Sequence, residues 1–374
     1  MHLKILSIED ISEIYNTHMV NDFPKTELKP LSHIVNTTKK GLCYSVGIYE
    51  GIEGEKEEKD LLGYAVFILP QGYKYGLLDY LAITGKNRGK GYGHIFFSMI
   101  KEFFSSHFPW LEGIFIECES VESAANTKEA DIRVRRINFY KDCGCIVTRL
   151  GSRLFGVEYS ILMLNIDNSN KVIDDNIASL KFERKDLDYI YKEMFKPHHY
   201  KEQVSMWERL DGETFSMSAK KLAPYLIGKL LCRNIDGNII KYRITETECY
   251  CGEEDTACHA HKGKTDRTKI LYEKGGMSYV YLCYGIHCLF NVVSGVQGHP
   301  EAVLIRGVEG FDGPGKLTKA MKIDRALNGV DMTVSDELWL EDDGFKCKCR
   351  RDKRVGIDYA TPKYRDILWR YILI

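Results

Sequence analysis

Apolar residues recur with helical spacing from Ile8 to Met19, which predicts an opening helix. Shorter apolar runs at Leu42–Tyr49 and Leu61–Leu69 read as strands, with the charged stretch Glu50–Asp60 as an exposed hairpin loop between them. A further strand, Leu77–Ile83, leads through a polar turn into Arg88-Gly-Lys-Gly-Tyr-Gly and the apolar helix His94–Ser105. A strand at Gly113–Cys118, the polar stretch Glu119–Asp131, a short helix around Arg135–Asp142 and strands to Leu164 follow. Together they make an α/β pattern with one glycine-rich strand-to-helix turn.

The polar run Asp167–Asn176 marks a boundary, and Ile177–Leu210 is helix-prone without belonging clearly to either side. From about Phe215 the texture changes to short strands separated by glycine-containing turns. The pattern therefore predicts two domains, residues 1–166 and 211–374, joined by a polar and helical linker over 167–210. In the second domain Ile239–Tyr250 reads as one strand. Its period-2 alternation sets Ile240, Tyr242, Ile244, Glu246, Glu248 and Tyr250 on a single face. A face that turns from apolar to carboxylate and aromatic suits a reactive cleft, and it also suits an exposed strand end. Further on, Tyr279 and Tyr281 share a strand face, and Tyr284 lies on the other, just before Gly285. Glycine permits a tight hairpin there, which puts Tyr284 at or near the tip. A large rigid side chain on such a tip suits a wedge between base steps, although a tyrosine-rich strand also suits a core.

Composition narrows the class. The chain has 374 residues, 44% hydrophobic and 28% charged, as expected of a globular protein with room for two domains. The longest nearly apolar stretch, Tyr279–Val293, is too short for a membrane span and contains Gly285, His287 and Asn291, so no membrane association is expected. The polar N-terminal segment does not resemble an export signal, and an intracellular, cytoplasmic location is expected. Twelve cysteines in a long chain without an export signal read as reduced thiols. The net charge of −1 makes no general case for nucleic acid, so that case rests on two basic clusters, Lys262–Lys274 and Lys346–Arg354, and on motifs. Cys249, Cys251, Cys258, His259, His261, Cys347 and Cys349 are zinc-ligand residue types, but their spacing is not that of a zinc site, and no metal is expected.

The segments LAPYLIGKLLCR, RITETECYCGEEDTACHA, YVYLCYGIHCLFNVV, AVLIRGVE, GPGKLTKAM and RVGIDYA occur in that order across the second half. This half resembles the alkyladenine (3-methyladenine) DNA glycosylase family. The resemblance implies a mixed α+β fold with a protruding β-hairpin, and a partner in double-stranded DNA containing damaged purines. It implies that Glu248 is the general base for the water attacking C1′, with Arg306 holding the backbone or orienting that water. It further implies that Tyr250 and Tyr281 sandwich the flipped base, that His259 hydrogen-bonds it, that Asn291 excludes the 2-amino group of normal guanine, and that Tyr284 fills the gap in the stack. Lys262, Lys264, Arg267 and Lys269 are expected to meet phosphates. No lysine occupies a matched catalytic position, so a monofunctional hydrolase that needs no cofactor is expected. Ile270–Gly276 departs from the family's usual Met-Phe-Gly-Pro-Pro-Gly-like run. The alternative is a damaged-DNA-binding module without hydrolysis.

Arg88–Gly93 lacks the GK[ST] ending of a Walker A loop, since Gly91 follows Lys90. With LLDYLAIT before it and RRINFYKDCGC at Arg135–Cys145 after it, the first half resembles the GNAT acetyltransferases. That implies an acetyl-CoA pyrophosphate site made by Arg88, Gly89, Lys90, Gly91, Tyr92 and Gly93 at a helix N-terminus. Asn138 and Tyr140 then contact CoA, with Tyr140 placed to protonate the departing thiolate. Glu117 is a candidate base for an amine acceptor whose identity the sequence does not disclose.

Overall fold

Ser7 and Asp10 cap each other's amides, Asp10 N–H donating to Ser7 Oγ at 3.1 Å and Ser7 N–H to the Asp10 carboxylate at 2.9 Å. This reciprocal cap starts the first helix, Ile8–Ile14, which widens into a π-turn over Tyr15–Met19. The computed structural model describes residues 1–25, 27–51, 60–166 and 182–374. Most of the charged loop expected at Glu50–Asp60, and all of the boundary expected at Asp167–Asn176, lie outside the described residues. The chain divides into two units, Met1–Met206 and Trp207–Ile374. Among the described residues no helix is long and apolar enough to cross a membrane.

In the first unit β1 (His2–Ile5), β2 (Cys43–Tyr49), β3 (Leu61–Ile68) and β4 (Tyr75–Ile83) pair antiparallel in sequence order. β5 (Gly113–Glu119) then runs parallel to β4, paired only from Tyr75 with Gly113 to Leu78 with Ile116. Past that point the two strands part. β6 (Ile146–Leu154) and β7 (Val157–Asn165) form a hairpin, with β7 beside β5. Two apolar layers cover the sheet. Helices Tyr92–His107 and Thr127–Asp142 bury Phe96, Phe97, Phe104 and Tyr140 in one. The other holds Ile11, Ile34 and, from helix Arg184–Met194, Leu187, Ile190 and Tyr191. Residues 184–203, helix-prone in the sequence and unassigned there, thus belong to the first unit's packing.

The polar stretch before Arg135 is not a loop throughout. The helix begins at Thr127, where Asn126 accepts the Glu129 amide. Arg133, buried on it, bonds Glu119 and Glu129, so ion pairing replaces apolar contact as the anchor of this turn. Periodicity alone misses an anchor of that kind. Likewise the end of the helix-prone segment is a strand, β8 (Val204–Arg209).

The second unit is built around one long strand. β9 (Leu230–Ile235) pairs with the first half of β10 (Asn238–Cys251), and the second half of β10 crosses into another sheet. There it lies between β13 (Glu301–Val308) and β17 (Arg370–Leu373). β11 (Ser278–Cys283) and β12 (His287–Ser294) form a hairpin beside β13, and β14 (Phe311–Asp312) folds back on β13. β15 (Leu338–Asp342) pairs with β8 and β9, and β16 (Cys349–Asp352) with β17.

Strict alternation along β10 fails at the crossing. Thr245 is one residue too many on β10 between the pairs Ile244–Val308 and Glu246–Gly307, and Arg306 is one too many on β13 before Thr247–Ile305. Each is a β-bulge, and each reverses which side the following residues face. Ile240, Tyr242 and Ile244 pack on the main core, but beyond the bulge it is Cys249 and Cys251 that do so. Glu246, Glu248 and Tyr250 therefore stand on the face opposite the apolar residues that precede them, not on the same one. On β13, Val303 and Ile305 enter the core, then Val308. Ala302, Leu304 and Arg306 turn to the other side, where they line a cavity.

Candidate active site

That cavity, about 840 Å³, lies in the second unit between β10, β13 and the β11–β12 hairpin. Tyr250, His259, Tyr281, Tyr284, Asn291, Arg267 and Arg306 all line it. Tyr281 and His259 meet edge to face with ring centroids 4.5 Å apart, and His259 Nδ1 lies 3.0 Å from the Tyr279 hydroxyl. Burial, with the nearby charge of Arg267, holds the His259 imidazole down at about 4, so it is neutral near pH 7. Asn291 is buried at the wall, its side-chain amide donating to the Tyr279 carbonyl at 3.1 Å. The Arg267 guanidinium lies 5.2 Å over the Tyr281 ring. Lys262 and Lys264 are outside the wall of the cavity.

Glu248 is fully buried, one side chain behind the cavity surface. One carboxylate oxygen accepts the Tyr250 hydroxyl at 2.9 Å, and the other accepts the Val355 amide at 2.9 Å. Arg306 Nε stands 3.7 Å from Glu248 and 3.1 Å from Glu246, which Arg370 also holds at 2.9 Å. Burial raises the Glu248 carboxyl above the usual range, while Arg306, the Val355 amide and the Tyr250 hydroxyl oppose the rise. All three of those opposing groups line the cavity. The carboxylate is thus connected to the cavity through its partners.

The hairpin loop is three residues, Tyr284–Ile286; its first two are at positive φ (49° and 70°), and Ile286 N–H closes on the Cys283 carbonyl at 3.1 Å. This turn type matches the twist of the strands and projects its central side chains. Tyr284 is 90% exposed.

The first unit has its own cleft, about 1240 Å³, where β4 and β5 part. Arg88, Glu117 and Tyr140 line it. Gly89 and Gly91 sit at φ 75° and 83°, with no atom within 4 Å of where a Cβ would be. Gly91 caps the helix Tyr92–His107 with no side chain on its free amides. Gly93 packs on Phe139, where a Cβ would meet the ring at 3.1 Å. Lys90 reaches back to Asn87 at 3.5 Å, and Arg88 is tied to Asp22 and to the Ile83 carbonyl. Tyr140 is buried, which pushes its hydroxyl well up, and Asn138 lies on the same helix. Glu117 receives the Tyr191 hydroxyl at 2.5 Å, and burial lifts its carboxyl to about 7.

A protein from Natranaerobius thermophilus that bears the name 3-methyladenine DNA glycosylase is 43% identical over 189 residues, spanning 44% of this chain and 95% of that protein. The sequence model of the methylpurine-DNA glycosylase family matches residues 213–312 and 309–374. This chain belongs to that family. Similarly named proteins from Psychrobacter cryohalolentis and Borreliella afzelii are 45% and 42% identical, covering 85% and 95% of their own lengths and 40% and 44% of this chain. Solved structures similar to this one include an acetyltransferase of the GNAT family from Bacteroides thetaiotaomicron. Its TM-score is 0.34 at 18% identity, over 46% of this chain and 90% of that one. Another is a Vibrio cholerae spermidine N-acetyltransferase in complex with CoA and spermine, with a TM-score of 0.33 at 11% identity, over 44% and 94%.

The chain carries a DNA-repair glycosylase in its second half. Around the cavity of the second unit the structure adds residues that the sequence did not single out. Val355 is a direct partner of Glu248, and Arg370 joins Arg306 on Glu246, a carboxylate that the strand pattern already named. The block RVGIDYA contains Val355, but a backbone donor leaves no mark on residue type. His287, Lys316 and Lys319 complete the outer wall. In the first unit Tyr191 was missed because it comes from a helix beyond the α/β pattern.

Proposed function

We propose that the glycosylase excises alkylated and deaminated purines, of the 3-methyladenine and hypoxanthine type, from double-stranded DNA and leaves an abasic site. The observation that carries this reading is the buried Glu248 carboxylate, bonded to two groups of an aromatic-walled cavity wide enough for a purine. In the proposed step a water held between Arg306 and Glu248 attacks C1′ and gives its proton to Glu248, and the purine leaves with the bonding pair. A positioned base of this kind contributes on the order of 10²–10⁴-fold. A ring-alkylated purine is already cationic and departs neutral, so it needs no acid; hypoxanthine departs as its anion and takes a proton from water. Tyr250 and Tyr281 stack on the extruded base, neutral His259 hydrogen-bonds it, and Asn291 crowds the guanine 2-amino group. Tyr284 enters the duplex, and Arg267, Lys262 and Lys264 meet phosphates. Glu248→Gln keeps the shape and removes the base, so release of hypoxanthine from a duplex should fall by roughly 10²-fold or more while binding persists. Undiminished release removes Glu248 from the mechanism, and tight lesion binding by the wild type with no abasic product leaves a binding module instead.

The same reading makes the first unit an acetyl-CoA-dependent N-acetyltransferase acting on an amine. Its support is the cleft where β4 and β5 part, with an uncapped helix N-terminus beside it and Glu117 and Tyr140 on its wall. Glu117 takes a proton from the acceptor ammonium, the freed amine attacks the thioester carbonyl, and Tyr140 protonates the departing thiolate. Release of free thiol from acetyl-CoA in the presence of an amine panel tests it; no amine-dependent release removes this half of the reading.

A further inference from the structure

Behind the Tyr250 ring lies a guanidinium that nothing above has used. Arg354 is fully buried and forms a forked ion pair with the equally buried Asp255, at 2.6 and 2.9 Å. Two further Nη hydrogens reach the carbonyls of Cys249 and Tyr364, each at 3.0 Å, while the buried Nε–H has no hydrogen-bond partner among the described residues. Its guanidinium carbon lies 4.7 Å from the centroid of the Tyr250 ring and 5.1 Å from that of Trp369. The next residue along the chain is Val355, whose amide holds Glu248. These contacts together fix one side chain, and that side chain is joined to both the stacking ring and the backbone donor of the base. A buried ion pair is weak grounds for stability alone, since apolar replacements of similar volume are often as stable. A fork of this kind instead constrains direction.

We propose that Arg354 is a positioning residue for base excision, fixing the plane of Tyr250 and the Val355 amide so that Glu248 faces the attacking water. The proposal rests on Glu248 being the base. Asp255 shares the role: it also accepts the amides of Cys251 and Ala257, so it ties the Arg354 loop to the end of β10 and to the turn that leads to His259. Small displacements at a reacting centre cost on the order of 10²-fold in rate. Arg354 touches neither DNA phosphate nor base in this arrangement, because it is sealed behind Tyr250.

The test uses the full chain with Arg354→Lys, Arg354→Met and Asp255→Asn, measured by single-turnover excision of hypoxanthine from a duplex across pH. Lysine keeps the charge but not the planar fork; methionine keeps the bulk but not the charge. Expected is a fall in the chemical rate on the order of 10²-fold for methionine, and an intermediate fall for lysine. Affinity for the intact lesion duplex should fall far less than the rate, since the Tyr250 ring is retained and only its orientation is loosened. The acid limb of the rate should also move to higher pH. Glu248 is faced by Arg306 from β13, by Glu246 and Tyr250 from β10, and by the Val355 amide, which lowers its pKa. Loosening that amide lets burial raise the carboxyl further, so ionisation needs a higher pH. A merely structural role would reduce the active fraction without moving the limb. Rates within about twofold of wild type, or an unmoved limb in the lysine and asparagine variants, overturn the proposal. Full activity of Glu248→Gln would instead overturn the assignment of the base, so the two failures are distinguishable.

Discussion

Glu248 shows how one side chain can be made reactive by its surroundings. Burial raises its carboxyl and so favours the proton-bound form; Arg306, the Val355 amide and the Tyr250 hydroxyl pull it back toward ionisation. Excision needs the charged form, so the rate should drop as pH falls through a value above the ordinary carboxylate range. A rate profile with its acid limb at or below that range, about 4.3 for glutamate, would contradict the environment described here. Tyr284 is placed in the opposite way. A tyrosine at φ 49° is strained, and 90% exposure gives it no packing in return. Tyr284→Gly should therefore leave the melting temperature equal or higher while lesion-duplex affinity falls roughly tenfold, the scale of one lost aromatic stack. A parallel loss of stability would mean that the ring serves the fold. At this scale the sequence was informative: Tyr250, His259, Tyr281, Asn291 and Arg306 meet at one cavity. Val355 was not legible, because its contribution is a backbone N–H that any residue but proline supplies.

At the scale of elements, strands and helices were legible wherever burial followed a period, as in β2 to β5 and the helix Tyr92–His107. They were misread where another force set the geometry: Arg133 anchoring a polar helical turn, and two bulges redirecting β10 and β13. The run Ile270–Gly276, which departs from the family's usual sequence, carries a further constraint. A Cβ on Gly275 would lie 2.2 Å from the Phe215 carbonyl oxygen, and its amide donates to the Gly295 carbonyl at 3.1 Å. Backbone meets backbone there, with no flexible side chain to move aside. Gly275→Ala should destabilise the second unit by roughly 1–3 kcal/mol in denaturant unfolding, the usual cost of overpacking. An unchanged midpoint would show that this contact opens easily.

At the scale of the whole chain, the two units carry separate cavities with separate titrating carboxylates, Glu117 and Glu248. Single substitutions should therefore dissect the chain cleanly. Glu117→Gln is expected to lower amine-dependent thiol release by more than about tenfold without changing hypoxanthine excision, and Glu248→Gln to do the reverse, as removal of a general base implies. Simultaneous loss of both activities from either change would mean that the units are coupled. The paired bulges of β10 and β13 have a consequence of their own. Which half of the strand's residues meets oily packing and which turns to the cavity side is decided by parity, through the odd count that Thr245 supplies. Dropping that single threonine would swing two acids and a tyrosine into the greasy interior and turn Cys249 and Cys251 toward the cavity. Many substitutions along β10 would be gentler than this one missing residue, although it touches no part of the chemistry itself.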